Sequence, residues 1–197
     1  MRLALVRHAE AAEDARGRCY GRLDVGLSAA GRVQCAALAE RFRKEPVGAV
    51  VTSPAFRARE TAEAIAAPHG LHVQLAESLR ELDFGELEGR AYDEIAVSDP
   101  ELYERWMTAP TTVQFPGGES FADLQERVDA GIAGLLGMHR DELVVVATHG
   151  GVVRAVLRSV LELPAERIFR IAVEPASVTT LDWVDGEPIV HAVNQPV

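Results

Sequence analysis

Three short apolar runs in this chain each end in residues suited to holding an anion. Residues 2–6 lead into Arg7 and His8, residues 47–52 into Ser53 and then Arg57, and residues 143–148 into His149, Gly150 and Gly151. Open α/β sheets bind ligands where their strands end, so two arginines and two histidines at three strand ends form a candidate site. Arginine and histidine are costly to bury without partners, and one anion could serve all four. The guanidinium fork matches two phosphate oxygens at once. The glycines after His149 would let a helix N-terminus present open backbone N–H groups as a further source of anion affinity. The chain has no phosphate-cradling G-x-x-x-x-G-K-[ST] loop, no G-x-G-x-x-G and no G-x-S-x-G, which argues against nucleotide-driven and serine-hydrolase chemistry.

The elements that must position these residues alternate between strand and helix. Residues 2–6, 47–52 and 143–148 read as strands and 71–75 as a weaker one. Because they are apolar along their whole length, a parallel sheet covered on both faces is expected. Ser28 is a candidate N-cap for a helix with Val33, Ala37, Leu38 and Phe42 on one face. Residues 54–67 form an Ala-rich helix, Ser120 caps a longer one, and Val152 to Leu161 give another apolar face. Strands are expected again at 168–173, 178–184 and 189–193. The expected fold is an α/β class, three-layer α/β/α sandwich with a mainly parallel central sheet. Residues 84–118 break the rhythm with Pro100, Pro110 and Pro116. They read as an insertion, helical in pieces, that could cap a substrate over the C-terminal strand ends.

The 197 residues suit one domain, 1–197, carrying that insertion. With 48% hydrophobic and 25% charged residues, disorder and collagen-like repeats are excluded. The balance of 20 basic against 30 acidic residues, net −10, argues against a nucleic-acid partner. A small anionic substrate stays open, because a few convergent arginines can dominate a local field. The longest fully apolar run, 143–147, is too short to span a bilayer, and Arg2 and Arg7 interrupt the N-terminus too early for a signal-peptide core. The expectation is therefore a cytoplasmic protein without a membrane partner. Cys19 and Cys35, the only cysteines, are expected as reduced thiols. His69 and His72 have ligand-like spacing, but they flank a Pro68–Gly70 turn with no third ligand in view and read as surface residues.

Five segments in order carry a resemblance. Leu5-Val6-Arg7-His8-Ala9-Glu10 resembles the Arg-His-Gly signature of the histidine phosphatase superfamily, also called phosphoglycerate-mutase-like. Gly21-Arg22-Leu23-Asp24 through Gly31 is similar to its loop into the first helix. Ser53-Pro54-Ala55-Phe56-Arg57 is similar to its second arginine motif, Leu79-Arg80-Glu81-Leu82-Asp83-Phe84-Gly85 to its acid motif, and Thr148-His149-Gly150-Gly151 to its second histidine motif. The resemblance implies His8 as the nucleophile that becomes a phosphohistidine. It implies Arg7, Arg57 and His149 around the transferring phosphoryl group, and Glu81 as the proton donor. It also implies substrate contacts from Arg7, Tyr20, Gly21, Arg57 and Gly150. The arginines would supply the charge, so no metal and no cofactor is expected. Ala9 stands where the family has glycine, Ala11 where it has threonine and Asp14 where asparagine is common. Glu86 and Glu88 are the nearest rivals to Glu81 for the acid role.

Between Glu86 and Asp123 there are two arginines against nine acidic residues, a poor cradle for the second phosphate a mutase must hold. A metal-independent phosphomonoesterase acting on a small phosphorylated metabolite is therefore the expected function. A cofactor-dependent phosphoglycerate mutase is the alternative, and an inactive phospholigand- or protein-binding relative is the alternative of another class. The stretch Gly17-Arg18-Cys19-Tyr20-Gly21 resembles α-ribazole phosphatases of cobalamin assembly. A bell-shaped pH profile, from neutral His8 and protonated Glu81, is expected. Edge strands near the C-terminus could pair two copies into a homodimer.

Overall fold

The computed structural model describes residues 1–139 and 141–197. At its centre β1 (Arg2–Arg7), β2 (Val47–Thr52), β3 (Val73–Leu75), β4 (Leu143–Thr148), β5 (Val178–Val184) and β6 (Glu187–Gln195) form a six-stranded sheet in the order β3-β2-β4-β1-β5-β6. The first four strands of that order run parallel, and β5 and β6 add an antiparallel edge. Among the described residues no helix is long and apolar enough to cross a membrane.

The helices are α1 (Ala29–Phe42), α2 (Phe56–Ala66), α3 (Tyr92–Ser98), α4 (Pro100–Thr108), α5 (Phe121–Met138) and α6 (Gly150–Val160). Successive strand residues face opposite sides, and the core divides accordingly. Leu3, Leu5, Val51, Val144 and Val146 pack on one side against Leu124, Val128 and Ile132 of α5 and Val152, Val153 and Leu157 of α6. Ala4, Val6, Val50, Val145 and Ala147 pack on the other against Leu38 and Phe42 of α1 and Ala62 and Ile65 of α2. Thus the three layers form because each central strand offers apolar side chains to both faces. Ser28 caps α1 by accepting from the Gly31 N–H at 2.9 Å, and Ser120 caps α5 in a reciprocal pair with Asp123.

Residues 84–118 contain α3 and α4 and build a third cluster of their own, in which Cys19, Leu87, Ile95, Trp106 and Phe115 are buried. One expected strand is not one. Residues 168–173 were expected to extend, but Ala165–Arg170 is a 3-10 helix entered from Pro164. Both sides of β1 are already taken by β4 and β5. The carbonyls of Ile171 and Val173 are instead taken by the guanidiniums of Arg154 and Arg7. Cys19 and Cys35 are free buried thiols, and burial pushes Cys19 up to about 12. His72 is exposed and His69 half-buried, with no third metal-ligating side chain gathered near them among the described residues.

Leu5 is fully buried in the most central strand pair. Leu5→Ala is expected to lower the free energy of unfolding by about 2–5 kcal/mol, read as a lower urea midpoint with an unchanged slope.

Candidate active site

Register brings the candidate residues together. Arg7 of β1 lies opposite Thr148 of β4, so His8 and His149 leave the sheet side by side, and the His8 N–H donates to the Thr148 carbonyl at 2.8 Å. On the far side of β4, the Ser53 N–H donates to the Ala147 carbonyl at 3.1 Å, and the chain turns at Pro54 into α2. Arg57 in the first turn of α2 is thereby aimed back over the strand ends. The two imidazole centroids are 5.2 Å apart.

Arg57 is fully buried. Its guanidinium donates to the carbonyls of Tyr20, Gly21 and Leu23 at 2.9, 2.9 and 3.0 Å. It also meets His8 Nε2 and His149 Nδ1, each at 3.3 Å. These contacts assign both tautomers. His8 Nδ1 sits 2.7 Å from the Ala9 carbonyl and must carry the proton there, which leaves a lone pair on Nε2. His149 Nε2 donates to Ser53 Oγ at 2.8 Å and Nδ1 accepts from Arg57. Burial, then the Arg57 charge, holds both imidazoles well below the usual histidine range, so both are neutral. The Thr61 hydroxyl steadies this corner by accepting from the Ala9 N–H at 3.1 Å and donating to the Arg57 carbonyl at 2.8 Å. Ala9, in the place of the resembled glycine, fits without exposure.

A pocket of about 140 Å³ opens above His8, walled by Arg7, Arg57, Glu81, Tyr20, Arg18 and Tyr92 among others. Arg7 enters it with a buried Nε that has no hydrogen-bond partner. Burial pushes the Tyr92 phenol up to about 12, so it remains an O–H donor at neutral pH. Of the three candidate acids, only Glu81 stands in this wall. Glu88 is spent on backbone, accepting from the N–H groups of Arg22, Leu23 and Phe84 at 2.8, 3.0 and 3.1 Å, and Glu86 is exposed.

The N-terminus of α6 does not stand fully open as the glycines suggested. The Gly151 N–H donates to Glu81 Oε2 at 3.0 Å, and a Cβ on Gly151 would lie 2.2 Å from Glu81 Oε1. This glycine therefore lets a carboxylate, rather than the open pocket, take the helix terminus. Gly150 lies beneath Arg7 and Arg154. Tyr20 is in the pocket wall with its ring 5.1 Å from the Arg57 guanidinium carbon. Gly21 is buried behind Arg57, and a Cβ there would fall 1.8 Å from the Leu82 carbonyl oxygen. Its place in the site is to pass the chain close enough to accept from Arg57.

Several participants have no obvious sequence signal. Arg127 of α5 donates to the carbonyls of Ser78, Arg80 and Glu81 at 3.0, 2.7 and 2.9 Å while held by Glu119 at 2.7 Å, and so fixes the irregular segment bearing Glu81. Its partners are main-chain oxygens, which no motif records. Arg154 had a readable clue, since it lies four positions after Gly150 and so on the same helix face. Tyr92 carries no such signal, since it lies in the irregular insertion away from any strand end.

Comparison with known proteins fits this arrangement. The model of the histidine phosphatase superfamily (branch 1) matches residues 3–196. A bifunctional protein of Mycobacterium tuberculosis is 35% identical over 196 residues, 98% of this chain but 54% of that protein, so the chain spans about half the length of that relative. Phosphoserine phosphatase 1 of Hydrogenobacter thermophilus is 30% identical over 194 residues, covering 98% of this chain and 92% of the relative. The crystal structure of α-ribazole phosphatase from Shigella flexneri superposes with a TM-score of 0.90 at 26% identity, covering 99% of this chain and 96% of that one.

Two neutral buried histidines make folding sensitive to acid. Their folded pKa values lie below the ordinary 6.5, so below about pH 6.5 the unfolded chain binds protons that the folded chain refuses, and stability falls. With two such sites the slope approaches roughly 2.7 kcal/mol per pH unit. Melting temperatures should decline steadily as the pH is lowered from 6.5 to 5, and a flat profile over that interval contradicts two neutral imidazoles.

Proposed function

We propose a phosphatase mechanism from one premise: the chain belongs to the histidine phosphatase superfamily, branch 1. The proposed activity is hydrolysis of a small phosphomonoester through a phosphohistidine on His8. The observation that carries it is a neutral imidazole whose Nε2 lone pair, held at rest by the Arg57 Nε–H at 3.3 Å, belongs to a pocket lined by Arg7, Arg57 and Glu81.

In the first step a phosphoryl oxygen draws the Arg57 Nε–H away from Nε2 of His8, and the lone pair so released attacks phosphorus in line. The Nε2–P bond forms as the bond to the leaving oxygen breaks, and the Glu81 carboxyl gives that oxygen its proton. The Ala9 carbonyl, already bonded to Nδ1–H, stabilises the positive charge that grows on the ring. Arg7 and Arg57 meet the equatorial oxygens, where charge concentrates. His149, with Nε2–H given to Ser53 Oγ and Nδ1 accepting from Arg57, holds the guanidinium in place from behind. In the second step the Glu81 carboxylate takes a proton from water as its oxygen attacks phosphorus. The Nε2–P bond breaks, and inorganic phosphate leaves with His8 neutral again. Splitting the displacement in two replaces one hard step by two easier ones. The protein's own cations supply the charge neutralisation, so the mechanism uses no metal or cofactor.

The acidic residues of 84–118 support hydrolysis over mutase chemistry. α-Ribazole 5'-phosphate is the natural-substrate candidate suggested by the Cys19-Tyr20-Gly21 stretch and the Shigella structure. An inactive binding relative would have no need of a neutral histidine sharing its pocket with a carboxyl group.

Release of p-nitrophenol from p-nitrophenyl phosphate in excess EDTA should proceed in the wild type and fall at least a thousandfold in His8→Ala. Alkaline quenching of Glu81→Gln after mixing with radiolabelled p-nitrophenyl phosphate, whose leaving group needs no proton, should trap an alkali-stable, acid-labile phosphoryl adduct. Because His8 is already neutral at pH 6.5, the acid limb of kcat/KM should lie below that value. Metal-dependent turnover, or turnover that survives His8→Ala, rejects the mechanism. Exchange between phosphoglycerates primed by bisphosphoglycerate would select the mutase instead.

A further inference from the structure

Beside the phosphate-sized pocket lies a second cavity of about 390 Å³. Glu81, Phe84 and Tyr92 belong to both walls, so anything bonded to a phosphoryl group over His8 and leaving past Glu81 would enter this chamber. Its chemistry differs from that of the first pocket. Phe84, Tyr92, Trp106, Phe121 and Phe169 line it. Trp106 packs against Phe84 and Tyr92 with centroids 5.4 Å away in each case, and against Phe115 at 5.2 Å. These rings brace one another in the third core cluster and present fixed aromatic surface.

One cation interrupts that surface. Arg154 lines the chamber with its Nε fixed on the Ile171 carbonyl at 3.1 Å and its guanidinium carbon 5.4 Å from the Phe169 ring centre. It has no carboxylate salt-bridge partner among the described residues. A half-buried guanidinium held by one nitrogen keeps its remaining N–H groups for an acceptor. The phosphate mechanism uses Arg7 and Arg57 and leaves this third arginine without a task.

We propose that the chamber receives the alcohol half of the substrate, a flat aromatic body bearing a carboxylate that Arg154 binds. This deepens the proposed phosphomonoesterase activity and rests on it, while replacing α-ribazole, whose benzimidazole bears no carboxylate, as the alcohol released. Small polyol phosphates would fill the phosphate pocket and leave the aromatic walls unused, whereas an aryl group buries apolar area against them. Arg154 acts here as a specificity residue and not in the chemical steps.

The test separates chamber from chemistry. Propyl, 3-phenylpropyl and 3-(4-carboxyphenyl)propyl phosphates share one kind of leaving alkoxide, and the matching phosphonates cannot be hydrolysed. Calorimetry with the three phosphonates on the wild-type protein should show Kd falling about tenfold with the phenyl ring and about tenfold again with the carboxylate. In Arg154→Gln the ratio between the carboxylated and plain phenylpropyl ligands should collapse to near one, and in Trp106→Leu the ratio between phenylpropyl and propyl should shrink. Ratios are read so that a general loss of binding in a variant does not imitate the effect. The kcat/KM values for the three esters should follow the same order. Equal Kd values for propyl and phenylpropyl ligands overturn the chamber proposal even where all three esters are hydrolysed. Graded Kd values without hydrolysis of any ester uphold the chamber and reject the phosphatase mechanism. A carboxylate gain that persists in Arg154→Gln removes Arg154 from the proposal.

Discussion

A guanidinium buried without a carboxylate against it is the constraint around which this molecule is arranged. Arg57 lies entirely out of solvent between two imidazoles. Taking a charge out of water is costly unless its hydrogen bonds are met. Three carbonyls from residues 20–23 meet most of them, which fixes the loop after Cys19 and requires a glycine at 21. The same positive charge helps keep both histidines neutral, and a neutral His8 has the lone pair that the proposed mechanism needs. A salt-bridged arginine would be cheaper to bury, but its field would already be spent.

The carboxylate side of the site is built by the opposite strategy. Glu81 comes from an irregular segment, and its position is set by groups that hold backbone. Arg127 gathers three carbonyls around it, Glu119 anchors Arg127, and Glu88 ties residues 22, 23 and 84 together. The Gly151 N–H then fixes the side chain itself. The cationic half of the site therefore rests on strand register and the anionic half on side-chain clamps.

This division explains what could be read in advance. β1, β2 and β4 were visible because strands buried on both faces must be apolar throughout, and the residues at their ends followed. The Ser28 and Ser120 caps were visible because capping is local chemistry. Residues 168–173 misled because a mostly apolar hexapeptide resembles a strand until one knows that β1 has no free side and that two arginines take the carbonyls of Ile171 and Val173. Arg127 was invisible because it recognises main chain. Arg154 was overlooked because its meaning depends on a chamber whose lining reaches back to Glu81, 73 positions earlier in the sequence.

The third core cluster stands nearly apart from the other two, with Leu82 the residue packed against both it and the α5/α6 side of the sheet. The aromatic chamber takes part of its wall from this small, separately packed unit, while the proposed catalytic ring stands on the sheet. Descendants of such a chain could therefore exchange Trp106 or Tyr103, which line the chamber and not the phosphate pocket, for other shapes, paying in roof stability alone, and inherit the same reacting centre for a different metabolite.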